Sequence, residues 1–252
     1  MFFLQANEAQ PPYAWLPIIC LQCLNMKRFI VSGIIILLVC SGCETLKKSW
    51  KSIWGENLAE SAQMLAWDGM DAYEDGNYAE AIANFQQLKD WYPFSKYAIL
   101  AELKIADSNY HLQKYEEAIF AYEEFEKLHP RNEAVPYVIY QIGRCYFDQI
   151  DTIDRDQTPA RKAYETFQRL NKQFPGDKYA RSGSEHISTC LKSLAGNEYY
   201  IGIFYYKSKH YKAALHRFMT VLTEYPDVGY HQLALEYIAK CEAELSPATE
   251  TN

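Results

Sequence analysis

The sequence predicts an all-α protein in which about five antiparallel helix pairs stack into a solenoid. A four-position pattern recurs four times, and only 11 Gly and 10 Pro occur among 252 residues, too few for a turn-rich β fold. Hydrophobic residues make up 49% of the chain, enough for a continuous core. The net charge of −7 argues against nucleic-acid binding, because proteins of that class usually present a basic face.

Four prolines mark the ends of the recurring units: Pro93, Pro130, Pro175 and Pro226. Twelve residues before each proline stands an alanine, namely Ala81, Ala118, Ala163 and Ala214. Eight residues before each stands an aromatic residue, namely Phe85, Tyr122, Phe167 and Phe218. Five residues before each stands Leu88, Phe125, Leu170 or Val221. These spacings place the side chains on one face of a helix, which the proline then ends.

A partner helix precedes each of these helices. In it, a small residue is followed four positions later by an aromatic one, as Gly69 and Tyr73, Ala106 and Tyr110, Gly143 and Phe147, and Gly202 and Tyr206. The unit that contains Gly143 is eight residues longer than the others, so we expect an insertion near residues 151–159. On the second helix, the repeat alanine lets a neighbouring helix approach closely, and the aromatic ring one turn later fills the gap.

This pattern resembles the tetratricopeptide repeat, a helix–turn–helix unit of roughly 34 residues. We expect a tetratricopeptide-repeat domain over residues 57–245, followed by a flexible tail over 246–252. The helix pairs are predicted near residues 57–91, 95–129, 133–174, 178–208 and 211–244. The fourth pair is the least regular, and its helices are drawn from Lys178–Leu194 and Gly196–Lys209.

The N-terminal segment has the pattern of a lipoprotein signal peptide over residues 26–42. A basic start at Met26-Lys27-Arg28 precedes an apolar stretch, which ends in Cys40-Ser41-Gly42-Cys43. The Ser-Gly-Cys ending resembles the lipobox of bacterial lipoproteins, although Cys40 stands where that pattern usually has Leu. The resemblance implies cleavage before Cys43 and lipidation of its thiol. Glu44 then implies sorting to the outer membrane, because retention in the inner membrane usually uses Asp.

Residues 1–25 precede a better start at Met26, so we interpret them as a mis-called extension; the alternative is a genuine leader. Residues 43–56 are predicted to form the lipidated N-terminus and a linker. The cysteines beyond Cys43 lie among apolar helical residues and have no C-x-x-C partner: Cys145, Cys190 and Cys241. We expect them to be buried and not to form a disulfide framework, and their odd number leaves at least one thiol free.

Taken with the repeats, three stretches resemble the outer-membrane assembly lipoproteins of the BamD (ComL/YfiO) family. The first is Tyr92-Pro93-Phe94 with Tyr97. The second is Asp154-Arg155-Asp156 followed by Ala160-Arg161, which also accounts for the insertion. The third comprises Glu198-Tyr199, Tyr205-Tyr206, Arg217 and Tyr225-Pro226. The resemblance covers nearly the whole mature chain, although the insertion and the tail are shorter than in some members.

The resemblance implies a lipid-anchored scaffold at the periplasmic face of the outer membrane. Its C-terminal repeats would bind the POTRA region of the barrel-forming assembly protein, with Arg217 at the contact. Its N-terminal repeats would engage unfolded outer-membrane proteins, and other assembly lipoproteins are further expected partners. Tyr92, Phe94 and Tyr97 would form a pocket for a substrate peptide. The alternatives are that Arg217 lies on a solvated helix face and that the three aromatic residues only pack at a helix end.

Two further clusters favour structural interpretations. Asp151, Asp154 and Asp156 lack the glycine and terminal glutamate of a calcium loop, so we expect a solvated loop with Arg155 folding back. His186 and Cys190 share a helix face, but no second pair completes a metal site. We expect no metal, no cofactor and no catalytic residues, since no catalytic motif is present.

Two other functions stay open at this stage. The first is another periplasmic tetratricopeptide-repeat lipoprotein, serving pilus biogenesis or peptidoglycan coordination. The second is an enzyme whose repeats recruit its substrate, although the predicted helix pairs leave little of the chain for a catalytic domain.

Overall fold

The computed structural model describes residues 58–246, and every regular element in this range is an α-helix. The chain divides into two compact regions at Ser61, and the stacked repeat units belong to the second region, Ala62–Asn252. The helices in chain order are α1 (residues 58–74), α2 (Tyr78–Trp91), α3 (Ala98–His111), α4 (Tyr115–Leu128), α5 (Val135–Phe147), α6 (Thr158–Gln173), α7 (Lys178–Lys207), α8 (Tyr211–Glu224) and α9 (His231–Leu245). The predicted all-α class is confirmed. The signal peptide, Cys43, the linker and residues 247–252 lie outside the described residues.

The recurring pattern marks the core of the stack. The four alanines, the four aromatic residues and the four large apolar residues counted back from the prolines are all 0–1% exposed. Helices α2, α4, α6 and α8 each end two residues before their proline. From α2 onward, each helix packs against the next one along the chain. The predicted helix-pair architecture therefore follows from these positions.

The small residues of the first helices face the aromatic rings of the second. A Cβ atom placed on Gly69 would come within 2.8 Å of the Phe85 ring. One placed on Gly143 would come within 2.4 Å of the Phe167 ring, and Gly183 of α7 approaches that ring from a third helix. Distances this short leave no space for any side chain, so glycine at these positions is a packing requirement.

In three units, the turn between the two helices contains a left-handed residue, and only one of these units supplies it as glycine. Gly76 has φ +77°, whereas the equivalent residues Gln113 and Lys209 have φ +60° and +61°. The Gln113 amide donates to Tyr110, and the next amide donates to Asn109. This pair of hydrogen bonds is a Schellman motif, which satisfies the last carbonyl groups of the first helix.

A tyrosine pair that the sequence analysis missed closes the same turn in three units. In each pair, the aromatic residue four positions after the small residue packs edge-to-face on the first residue of the second helix, with ring centroids 5.4–6.0 Å apart. The pairs are Tyr73 with Tyr78, Tyr110 with Tyr115, and Tyr206 with Tyr211. A tyrosine three residues before the repeat alanine in three of the four units is the signal that could have revealed them.

The predicted division of the fourth pair is wrong, because α7 is one continuous helix of 30 residues. Gly196 was expected to begin the second helix of the pair, but it lies inside α7, where a Cβ atom would come within 2.7 Å of the Tyr230 hydroxyl. Ala195 and Ser193 beside it are buried in the helix. Glycine here permits a close contact instead of a turn. With no proline nearby, nothing stops the helix.

A buried carboxylate joins the second unit to the third. Asp107 of α3 is 3% exposed, and its Oδ1 accepts hydrogen bonds from the hydroxyls of Tyr122 (2.7 Å) and Tyr137 (2.8 Å). Its Oδ2 lies 3.0 Å from the Lys104 ammonium, which also lies 4.0 Å from the ring centroid of Tyr73 in the first unit. A buried charge persists only with such partners, and those of Asp107 come from α3, α4 and α5.

Replacing Gln113 or Lys209 by glycine should stabilise the protein. Each substitution relieves about 1–2 kcal/mol of strain from the left-handed backbone conformation. Each also costs about 0.4–1 kcal/mol of stability, because glycine raises the conformational entropy of the unfolded chain. We expect a net gain of about 0.5–1 kcal/mol per site, measured by urea unfolding followed by circular dichroism.

The control is Gly76→Ala at the equivalent turn, which should destabilise the protein, because it introduces the strain that the other two substitutions remove. If Gln113→Gly and Lys209→Gly both lower the unfolding midpoint, the left-handed turn does not limit stability.

Candidate partner-binding site

Arg217 lies on α8, directly before the core residue Phe218. Its Nη1 atom lies 2.9 Å from Oε2 of Glu198 on α7. The side chain of Arg217 is 37% exposed and that of Glu198 is 16% exposed. An ion pair this exposed stabilises a fold by at most about 1 kcal/mol. The guanidinium has five donors in a planar fork, so it can keep this contact and still reach the carboxylate of a partner.

Arg161 of the second family stretch acts electrostatically on Tyr225 of the third, which lies near this ion pair. Burial raises the pKa of Tyr225, the carboxylate of Glu198 raises it further, and the positive charge of Arg161 opposes both. Charged groups of α6, α7 and α8 therefore lie near one another: Glu198 pairs with Arg217, and Glu198 and Arg161 both act on Tyr225. The family resemblance grouped Glu198, Arg217 and Tyr225, but residue spacing alone could not relate Arg161 to them, because it lies on a different helix far away in the chain.

The three aromatic residues of the first stretch do not share one environment. Phe94 is fully exposed, at 101%. Tyr97 is half-buried and packs against the core of the first unit, and the Lys96 ammonium lies 4.9 Å from its ring centroid. Tyr92 is half-buried, and its amide donates to Leu88 at the end of α2. Packing thus accounts for Tyr97, whereas no packing requirement accounts for Phe94.

The insertion forms an ordered loop over residues 148–157 that docks on α7. Gln157 is 7% exposed and accepts a hydrogen bond from the Ser193 hydroxyl at 2.6 Å. The side-chain amide of Asn197 donates to the Ile153 carbonyl at 2.6 Å. The prediction that Arg155 folds back onto the protein is wrong, because Arg155 is exposed, whereas Ile153 and Gln157 make the contact with α7. Buried amide and hydroxyl groups need partners, and this loop supplies them.

His186 packs among aromatic rings instead of facing a ligand. Its ring lies 4.4 Å from that of Phe147 and 5.4 Å from that of Phe167, measured between centroids. Burial lowers the pKa of His186, and the positive charge of Arg144 lowers it further. Cys190 is fully buried, and burial raises the pKa of its thiol to about 12. Across residues 58–246, no group of three His, Cys, Asp or Glu side chains could hold a metal ion.

Cys145, Cys190 and Cys241 are free thiols, and all three are buried, as the sequence predicts. Within the described part of the chain, no helix is long and apolar enough to span a bilayer.

These features define a helix-pair repeat protein with neighbouring charged groups in its C-terminal units. The family described as "YfiO: Outer membrane lipoprotein" matches residues 59–252. The chain belongs to this family, and the resemblance predicted from its motifs is confirmed.

Three relatives share the name outer membrane protein assembly factor BamD. The chain is 27% identical to the protein of Caulobacter vibrioides over 205 residues, which are 81% of this chain and 66% of that protein. It is 28% identical to the protein of Neisseria meningitidis serogroup A over 185 residues, 69% of each chain. It is 28% identical to the protein of Rickettsia prowazekii over 214 residues, 85% of this chain and 82% of that protein.

Among solved structures, the chain is similar to a tetratricopeptide repeat protein from Parabacteroides merdae. The identity is 12%, the TM-score is 0.40, and the match covers 73% of each chain.

The lowered pKa of His186 makes stability fall in mild acid. A histidine whose folded pKa lies below the ordinary 6.5 contributes stability that is complete above pH 6.5 and is lost as the pH falls through the folded pKa. We expect the urea midpoint to drop between pH 7.5 and pH 5 less steeply for His186→Phe than for the wild type. His216→Phe, at an exposed histidine, should keep the wild-type slope. Equal slopes for the wild type and His186→Phe would contradict this origin of the acid sensitivity.

Proposed function

We propose that this chain is a lipid-anchored scaffold subunit of the machinery that assembles β-barrel proteins in the outer membrane. The observation that carries the proposal is the family match across residues 59–252, which includes α2 to α9 completely. The three relatives named as outer membrane protein assembly factors support the same role. Family membership also associates the chain with the outer membrane.

The proposed anchor is the lipid on Cys43, which holds the repeats at the periplasmic face of the outer membrane. A single acyl chain binds membranes only marginally, so stable attachment needs additional chains or a complex. We infer that residues 43–56 connect this anchor to the repeat domain, which begins near residue 57. Assembly with other lipoproteins would supply further attachment.

The proposed partner surface is the region around Arg217. A POTRA-bearing barrel assembly protein would present a carboxylate to the guanidinium, which can hold it through two parallel hydrogen bonds. Glu198 already orients Arg217 at 2.9 Å, so little side-chain freedom is lost on binding. Unfolded outer-membrane proteins would engage the first unit, where Phe94 offers a fully exposed ring beside Tyr92 and Tyr97.

The two alternative functions have less support. A repeat lipoprotein of pilus biogenesis or peptidoglycan coordination would share the anchor and the fold, but the three relatives are all named for outer membrane protein assembly. An enzyme would need catalytic residues that we do not propose, because packing explains His186 and Cys190. We therefore propose binding without turnover, metal or cofactor.

Reversing the charge of Arg217 should release the barrel protein. We expect affinity purification from detergent-solubilised envelopes to recover a POTRA-bearing protein with the wild type, and at least about tenfold less of it with Arg217→Glu, as for a buried charge contact. The matched control is Arg169→Glu, because Arg169 is also 37% exposed and paired across helices, with Glu126. Arg169→Glu should recover as much of the POTRA-bearing protein as the wild type does.

The results of this purification test the assembly role and the contact at Arg217 separately. Recovery with the wild type and both variants would keep the assembly role and remove Arg217 from the contact. No recovery with the wild type would argue against the assembly role itself.

Lipidation should depend on Cys43 and not on Cys40. In a Gram-negative host supplied with labelled palmitate, Cys43→Ser should lose both the label and the membrane fraction, whereas Cys40→Ser should keep both. The opposite result would move the anchor to Cys40.

A further inference from the structure

A cavity that the proposed function does not use lies between the second and third repeat units. It has a volume of about 420 Å³ and lies between α4, the end of the insertion loop and the start of α6. A second cavity of about 540 Å³ continues along α4 and shares Glu123 with the first. The α4 residues that line the two recur every three or four positions from Glu116 to Lys127, so they form one stripe along the helix. We call this stripe and its two cavities the α4 groove.

The apolar centre of the α4 groove is Phe120. Its side chain is 63% exposed, while Ile119 beside it is 8% exposed and belongs to the core. The positions equivalent to Phe120 in the other units are small or polar: Ala83, Glu165 and His216. The repeat fold therefore does not require a phenylalanine at this position. An exposed aromatic ring at the edge of a cavity is a favourable anchor for a partner.

The charges around Phe120 are mainly negative. Glu116, Glu123 and Asp156 line the first cavity, against the single ammonium of Lys162, which lies 5.1 Å from the Tyr146 ring centroid. Within the described part of the chain, the side chains of Glu116 and Glu123 make no hydrogen bond and no ion pair. Asp156 accepts hydrogen bonds from Thr158 through Oδ1 alone.

These acidic residues are specific to the second unit. The positions equivalent to Glu116 are Ala79, Arg161 and Lys212, and those equivalent to Glu123 are Gln86, Gln168 and Met219. Further along the groove, Glu126 is neutralised by Arg169 at 2.5 Å. The uncompensated charge is therefore concentrated around Phe120.

We propose that the α4 groove binds a polypeptide segment of a partner protein in which an apolar side chain is flanked by lysine or arginine. The apolar side chain packs on Phe120, and the flanking cations pair with Glu116, Glu123 and Asp156. Long basic side chains suit this surface, because their aliphatic stems cover the ring while their charged ends reach the carboxylates. None of the α4 groove residues belongs to the Arg217 region or to the group of Tyr92, Phe94 and Tyr97, so this binding is separate from the proposed function.

The test uses a fluorescein-labelled synthetic peptide of leucine and lysine, with leucines at i, i+3 and i+4, and a second peptide with glutamate in place of lysine. Fluorescence anisotropy should show that the mature protein binds the basic peptide more tightly than the acidic one. Phe120→Ala and the double variant Glu116→Lys/Glu123→Lys should each weaken binding of the basic peptide by at least about tenfold.

Two matched controls separate the groove from general effects. Phe204→Ala removes a phenylalanine of α7 that is 61% exposed, and Glu117→Lys/Glu124→Lys makes the same charge change on the same helix outside the groove. Both should bind the basic peptide as the wild type does, and circular dichroism verifies that every variant is folded.

Equal weakening by groove and control variants would overturn the proposal, as would equal binding of the two peptides by the wild type. Recovery of the barrel protein with Phe120→Ala should stay at the wild-type amount, so the failure of this proposal and that of the assembly role give different results.

Discussion

The contact between a small residue on one helix and an aromatic ring on the next determines how closely the helices of a unit can approach. The rings of Phe85, Phe167 and Phe218 are fully buried, and each lies where the glycine of the preceding helix has no side chain. Burying such a ring stabilises a fold by about 3–5 kcal/mol relative to alanine. The turns and the helix ends hold the two helices so that this contact can form.

The second unit uses a tyrosine at that ring position because it must also hold a buried charge. Asp107 has no acidic equivalent, since Met70, Arg144 and Ile203 occupy the same position in the other units. An isolated carboxylate in this interior would cost several kcal/mol. Tyr122 supplies a hydroxyl at 2.7 Å, and Tyr137 of the next unit supplies another at 2.8 Å. Removing Asp107 would leave both buried hydroxyls without their acceptor, so the network favours one arrangement of neighbouring units.

The helix pairs could be predicted from the sequence, whereas the long α7 and the docking of the insertion, which each occur once, could not. Residue spacing revealed the helix pairs, because the same packing problem is solved four times and leaves the same residue types at the same intervals. The continuity of α7 was missed, because glycine in a sequence can indicate a turn or a close contact, and only Tyr230 and Ile153 packed on Gly196 distinguish the two. The docking of the insertion was missed for a related reason. Its hydrogen bonds join residues 36 and 44 positions apart, at positions without a counterpart in other units.

The continuous α7 fixes the insertion loop relative to the region around Arg217. Ser193 and Asn197 hold the loop, and Glu198, the residue after Asn197, holds Arg217. Adjacent residues of a helix point in directions about 100° apart, so α7 presents the loop on one side and the ion pair on another. Two separate helices joined by a turn would leave the angle between these surfaces free to vary. One uninterrupted helix removes that freedom, so a partner that contacts both surfaces meets them in a fixed geometry and loses less entropy on binding.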